Sequence, residues 1–285
     1  MKIAVIGDIH SNHTALEKCL SWIYENEVDG IVFLGDYVTD CPYPMKTIDI
    51  LKNISKTYKT WFIRGNRENY IIDYHRNREG WSYGSKTGSL LYTYESLTLE
   101  AVQWLMEMPE EIRISVEGCG TITACHCPPY YQYRQKEPSD EKIRETAENM
   151  DTDVLLCAHS HIPLVKNCGE KLIVNSGSVG VAIDGITDAQ FTVLEFTDKW
   201  SAKIISLEYD IEAAAAEFTE SGIIEKGRVW SIGVREMLKT GVEYTVDCID
   251  EIRNMLAINP DKTEFDEELW ELAAKKTGLD ISEIL

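Results

Sequence analysis

The 285-residue chain has no run of about 18 apolar residues, so no segment is expected to cross a membrane as a helix. Its first residues run directly into an apolar stretch, without the charged region, apolar region and cleavage site of an export signal, and a cytoplasmic location is expected. Basic residues are few: 28 Lys and Arg face 48 Asp and Glu, for a net charge of -20. Non-specific nucleic-acid affinity comes from basic surface, so that class of partner is argued against. A pair of bound divalent cations would reverse the sign locally, and an anionic substrate in a cleft stays open. The eight cysteines include no CxxC, which without an export signal points to reduced, mostly buried thiols. Cys125 and Cys127 flank His126, and on a strand both would face away from it.

The chain is organised around its first stretch, Ile3-Ala-Val-Ile-Gly7-Asp8-Ile-His10-Ser-Asn12. Val5 and Ile6 read as a buried strand that Gly7 ends, and residues two apart in an extended segment point to one side, bringing Asp8 and His10 together. Asn12 is expected to cap a helix running to Glu27, with Ala15, Leu16, Leu20 and Ile23 on its apolar face. The same device recurs in Ile31-Val-Phe-Leu34-Gly35-Asp36, and again where Trp61-Phe-Ile63 leads into Gly65-Asn66-Arg67-Glu68. Strands alternating with helices imply a largely parallel sheet, whose ligands gather beyond the carboxyl ends of the strands.

Further on, Lys86 to Tyr94 and Leu99 to Met106 have helical spacing, and strands are expected at 112–116 and 122–125, the second leading into His126. A helix over 140–149 precedes Val154-Leu-Leu156, which runs into Ala158-His159-Ser-His161, and strands follow at 172–174, 191–196 and 203–207. From Tyr209 only helices are expected. One carries the stripe Val242, Val246, Ile249, Ile252 and Leu256; another opens at Thr263 and stops at Gly278. Residues 1–208 and 209–285 therefore read as a catalytic domain and an acidic helical extension, the latter with 18 acidic against 8 basic residues. The extension is either a solvated outer face or a surface for a partner.

Four of the six histidines, His10, His126, His159 and His161, directly follow apolar strands, and Asp8, Asp36 and Asn66 do the same. A bridging carboxylate with three further ligands on each side would hold two divalent cations about 3.5–4 Å apart, an arrangement that hydrolyses phosphate esters. Mixed imidazole and carboxylate donors suit manganese, iron, zinc or nickel, with manganese favoured.

In this order the motifs Asp8-x-His10, Gly35-Asp36, Gly65-Asn66, His126 and Ala158-His159-x-His161 resemble those of the calcineurin-like metallophosphoesterase superfamily. Asp8-Ile-His-Ser-Asn12 and Asn175-Ser-Gly177-Ser-Val-Gly180 resemble its small bacterial phosphodiesterase and diadenosine-tetraphosphatase-like branch. The resemblance covers Met1 to about Leu207. It implies a four-layer α/β/β/α sandwich of two mixed sheets, with the helical extension appended. It further implies that Asp8, His10 and His161 bind one metal, that Asn66, His126 and His159 bind the other, and that Asp36 bridges. A hydroxide between the metals would attack phosphorus in line with the leaving oxygen. Asp36, Asn66, Arg67 and His126 would be catalytic, with Arg67 and Asn12 on the substrate phosphate. The implied partner is a small phosphorylated substrate, a nucleotide among the candidates; no oligomeric state follows.

Arg67 departs from the family, where a histidine follows the asparagine. A histidine there can protonate the leaving group, whereas arginine stays charged and can only grip a phosphate. Leaving groups that need no proton are then expected, as in nucleotide phosphoanhydrides or activated phosphodiesters. The alternative is a catalytically degenerate member that keeps its metals and presents the extension to a protein partner. Ala158 and Cys127 replace two usual glycines, both with small side chains. His13 could replace the missing acid, although an exposed position in the first helical turn is the expectation. His75 is expected at the mouth of the site or on a helix surface, and Tyr130, Tyr131, Tyr133 and Arg134 could stack on a base and hold a phosphate.

Overall fold

In the computed structural model, which describes every residue except 134, 136 and 137, two five-stranded mixed sheets lie face to face between helices. The chain begins β1 (Lys2–Ile6), α1 (His13–Glu25), β2 (Gly30–Phe33), α2 (Pro44–Ile54), β3 (Thr60–Phe62) and α3 (Asn66–Asn77). Next come α4 (Gly88–Ser96), α5 (Leu99–Met106), β4 (Glu111–Val116), β5 (Gly120–Cys125), α6 (Asp140–Asn149), β6 (Val154–Cys157), β7 (Leu164–Cys168) and β8 (Lys171–Asn175). A hairpin of β9 (Ala189–Phe196) and β10 (Trp200–Leu207) follows, and then α7 (Ile211–Glu220), α8 (Ile223–Thr240), α9 (Thr245–Leu256) and α10 (Glu267–Thr277).

The first sheet has the order β10-β9-β1-β2-β3 and the second β4-β5-β6-β8-β7. In the first, β1, β2 and β3 run parallel; in the second, β5, β6 and β8 do. Side chains two apart share a face, and this sorts the apolar residues into layers. Ile3, Val5, Val32 and Leu34 meet Ile122, Ala124, Leu156 and Val174 between the sheets. Ala4, Ile6, Ile31 and Phe33 face Leu16, Ile23, Ile48 and Leu51 of α1 and α2 on one outside. Leu155, Cys157 and Ile173 face Ile143 and Ala147 of α6 on the other. The four-layer sandwich expected from the sequence is the fold found.

Asn12 does cap α1, accepting from the Ala15 amide at 3.1 Å. Three elements escaped the sequence reading. In α3 only Glu68, Ile71 and Ile72 are buried, so its apolar period is nearly absent; β7 is an edge strand with partly exposed residues; α2 starts on a proline and lies between two motif segments. In the C-terminal helices two details differ from expectation. Val242 is exposed and precedes α9, whose buried face is Thr245, Cys248, Ile252 and Met255. The last helix opens at Glu267, because Asp266 precedes it and its carboxylate accepts from the Thr263 amide.

The C-terminal helices share a core, built on Phe218, Ile232 and Trp270, with Cys41, Tyr92 and Val181 from earlier in the chain. Helix α8 is broken at Arg228, whose backbone sits at φ 42°, ψ -122°. Its guanidinium pairs with Glu267 at 2.9 Å and Glu271 at 3.1 Å of α10, and the Ser85 hydroxyl accepts from the Val229 amide. His13 is not exposed as expected: it is buried, its Nε2 2.9 Å from Glu217 of α7 and 3.1 Å from Lys46 Nζ. All eight cysteines are free, and among the described residues no helix is long and apolar enough to cross a membrane.

Candidate metal centre

The carboxyl ends of β1, β2 and β3 meet those of β5 and β6, and the loops that follow deliver every predicted ligand to one place. Backbone strain marks it: Asp8, His10, Ser11, Asp36, Asp40, His159 and His161 all have φ between 50° and 71°. Such a conformation costs a non-glycine residue of order 1–3 kcal/mol and persists only where surroundings over-determine it. The expectation that Asp8 and His10 converge by strand alternation is therefore corrected. They meet, with His10 Nε2 4.0 Å from Asp8 Oδ1, through left-handed turns after the strand.

Hydrogen bonds between loops hold those turns. The buried Glu68 carboxylate accepts from the amides of Gly65 at 2.8 Å, Asp36 at 2.7 Å and Tyr37 at 2.8 Å, tying the β3 loop to the β2 loop. Gly65 is obligatory, since a Cβ there would lie 2.2 Å from Asp36 Oδ1. Across the two sheets, the His159 amide donates to Asp8 Oδ2 at 2.9 Å. A Cβ on Gly7 would come within 2.8 Å of the Ala158 Cβ, so the alanine in place of a family glycine fits because its neighbour is Gly7.

The donor atoms of Asp8, His10 and His161 lie within 4.8 Å of one another, as do those of Asp8, Asp36 and His126. One oxygen, Asp36 Oδ2, stands 3.8 Å from His10 Nε2 and 3.4 Å from His126 Nε2. Asn66 Oδ1 is 3.0 Å from His126 Nε2 and 2.9 Å from His159 Nδ1. Three of the imidazoles have their other nitrogen committed outside the cluster. His126 Nδ1 donates to Leu34 O at 2.8 Å and His161 Nδ1 to Val181 O at 2.5 Å, while His10 Nδ1 lies 2.8 Å from Asp40 Oδ2. Each keeps its Nε2 facing inward, where loss of any proton it carries would free a lone pair for a cation.

This donor set fits divalent cations. Asp8 Oδ1 is buried without a hydrogen-bond donor, and the Nε2 atoms of His10 and His161 face each other at 3.1 Å. Two ring nitrogens at that distance need a proton or a cation between them. The protonation equilibria point the same way. Burial pushes Asp8 up to about 7 despite His126, with Asp36 adding to the rise. Burial opposes a charge on His126, yet Asp36 outweighs it and raises the imidazole to about 10. His159 falls to about 4 and His161 to about 3, by burial and then by the neighbouring His126 and His10, so both are uncharged at neutral pH, as a candidate ligand must be.

Two predicted phosphate contacts fare differently. Asn12 is buried and its amide nitrogen donates to Gly180 O at 2.8 Å and Tyr209 Oη at 3.1 Å, which leaves no donor for a phosphate. Arg67 does line the cavity above the cluster, with Nη2 3.1 Å from Asp40 Oδ2 and its guanidinium 5.6 Å from the Trp230 ring centre. Of the aromatic group after His126, Tyr130 is buried with its hydroxyl at Cys157 Sγ, Tyr131 packs edge-on to His159 at 4.6 Å, and Tyr133 bonds Asp250. Arg134 lies outside the described residues. His75 bonds Tyr94 Oη at 2.9 Å, holding one helix to another.

Sequence reasoning missed Glu68, Asp40 and Trp230. Glu68 carried a signal, as the third helical residue after Gly65 it completes a capping-box spacing. Asp40 and Trp230 carried none, since their importance is a contact across 190 residues.

A calcineurin-like phosphoesterase superfamily domain matches residues 1–199. An uncharacterized protein of Methanocaldococcus jannaschii is 25% identical over 243 residues, 78% of this chain and 94% of that protein. Two crystal structures share the fold at 23% identity, each covering 85% of this chain and 99% of the other. One is a hypothetical protein of Pyrococcus horikoshii, with a TM-score of 0.72; the other is a metallophosphoesterase of Sphaerobacter thermophilus, with a TM-score of 0.65. With the family's domain matching its first 199 residues, well over half its length, this chain belongs to the calcineurin-like phosphoesterase superfamily.

Proposed function

We propose that the protein is a two-metal phosphoesterase that hydrolyses a phosphodiester or a nucleotide phosphoanhydride. Asp8, His10 and His161 would hold one ion, Asn66, His126 and His159 the other, and Asp36 would be shared. The observation that carries this reading is the position of Asp36 Oδ2 between His10 and His126, at 3.8 and 3.4 Å. Two divalent ions, when bound, supply a water-derived nucleophile at neutral pH and neutralise phosphoryl oxygens. Oxygen and imidazole donors favour manganese over calcium.

The chain's own groups do the rest. Arg67, anchored by Asp40 and stacked near Trp230, offers its remaining N–H groups to a phosphoryl oxygen. It stays charged at working pH and delivers no proton to a leaving oxygen, which favours leaving groups of low basicity. His13, the other candidate acid, is engaged with Glu217 and Lys46 and takes no part. Asn12 is assigned a structural role. Residues 1–208 form the catalytic domain in this reading, and 209–285 form an extension that completes its cavity, in the cytoplasm. The complete ligand set favours an enzyme over a degenerate binding module.

Manganese-dependent hydrolysis of an aryl phosphodiester, beside the matching monoester, tests the assignment. Asp36→Asn should remove turnover while circular dichroism stays native. Undiminished turnover in that variant would exclude the site.

A further inference from the structure

The cavity that opens over the ligand cluster has a volume of about 740 Å3, far more than a phosphoryl group occupies. Its floor is polar, with Asp36, Asn66, Arg67 and His159. Its walls are not. Tyr74, Trp81 and Tyr131 come from the sandwich side, and Trp230, Val246 and Ile249 from the C-terminal helices. Pockets of this size with a few convergent polar groups hold ligands whose bulk is apolar.

The rings begin where the candidate ligands end. Tyr131 sets its edge against His159, at 4.6 Å between ring centres. Tyr74 and Trp81 are stacked on each other at 4.2 Å. On α9, Cys248, Ile252 and Met255 turn into the helical core, while Val246 and Ile249, three residues apart on one face, remain half-buried and line the cavity beside Thr245. Charge adds a constraint. Among the described residues, the basic side chains lining the cavity are Arg67 and Lys86, each already on a carboxylate, Asp40 or Glu264. Asp73, Glu79 and Glu243 line it as well. A chain of further phosphates would meet carboxylates there, whereas an uncharged ring would meet rings.

We propose that the substrate is a phosphodiester bearing a bulky aromatic ester group, and that α9 sets this specificity through Val246 and Ile249. The assignment rests on the phosphoesterase reading for the phosphoryl end alone. It selects the diester over the phosphoanhydride between the two substrate classes.

Diphenyl phosphate and dimethyl phosphate carry the same charge on the same phosphoryl group and differ in their apolar substituents. Calorimetric titration of each into the manganese-loaded full-length protein should show diphenyl phosphate binding roughly tenfold tighter, the scale of burying an apolar ring. Ile249→Trp, which fills the wall, should cut that preference to about threefold or less; Val246→Trp does the same from one turn earlier and serves if the first variant does not fold. Equal affinities in the wild-type protein would overturn the proposal. So would a preference that survives both substitutions in folded variants. Binding needs no turnover, so a protein that prefers diphenyl phosphate yet hydrolyses no aryl diester refutes the phosphoesterase reading and leaves the cavity assignment standing.

Discussion

Trp230 donates its indole N–H to Asp40 Oδ1 at 2.8 Å, while Asp40 Oδ2 lies 2.8 Å from His10 Nδ1 and 3.1 Å from Arg67 Nη2. One buried carboxylate thus joins a candidate metal ligand, the candidate phosphate-binding cation and a C-terminal helix. Burial works against its charge, but Arg67 and then His10 hold it well below the usual carboxylate range.

Substituting the two ends of that link should have different consequences. Asp40→Asn removes the charge that fixes the His10 tautomer, and manganese affinity should fall about 10- to 100-fold, the usual effect of losing an outer partner of a ligating imidazole. Trp230→Phe keeps a ring beside Arg67 and loses one bond to a charged group, costing about 1.5–3 kcal/mol of stability in urea denaturation with a smaller change in metal affinity. Equal metal affinities in Asp40→Asn and the wild type would refute the positioning role of Asp40.

Glu68 is fully buried and accepts from four backbone amides of two different loops, those of Gly65, Asp36, Tyr37 and Val38. Glu68→Ala would strand those N–H groups in the interior, each at about 1–3 kcal/mol. The variant is expected to lose most of its stability and, with the Asp36 loop released, its metal affinity. Chemical denaturation beside a manganese titration checks both; a native urea midpoint would contradict the account of how these turns are held.

Metal loading should release protons. Without a cation, His126, raised to about 10 by Asp36 against the effect of burial, carries a proton at pH 7, and Asp8, raised to about 7 by burial, carries one about half the time. Ligation needs His126 neutral and Asp8 ionised, so affinity should rise with pH from 6 to 8 by about one to two powers of ten per unit. For the metal-free protein the same His126 shift has the opposite sign. Its contribution to stability is complete below the ordinary histidine value and is lost as pH rises toward about 10. Calorimetry of manganese binding in buffers of different ionisation enthalpy measures the released protons, and a heat independent of buffer would rule this out.

Much of the sandwich and its ligands could be read from local pattern. Apolar runs ending in Gly7-Asp8, Gly35-Asp36 and Ala158-His159 place donors at strand ends whatever the rest of the chain does, and alternation along the strands assigns the layers. The α3 helix was hidden because Glu68, Ile71 and Ile72 are its buried residues, too few to mark a period, and β7 because an edge strand buries little. Asn12 shows the opposite failure. Its place in a motif suggested a phosphate contact, but Gly180 and Tyr209, distant in sequence, take its donors.

By itself the sequence determined which residues are the candidate ligands and which strand ends carry them, because donor type and strand termination are local properties. Only the tertiary structure decided how the site is completed. Asp40, Trp230, Val246 and Ile249 acquire their roles from the packing of the C-terminal helices over the cluster. A contact between residues 190 positions apart leaves no periodicity or spacing in the chain; it exists only once burial of the shared core around Phe218, Ile232 and Trp270 brings the two segments together.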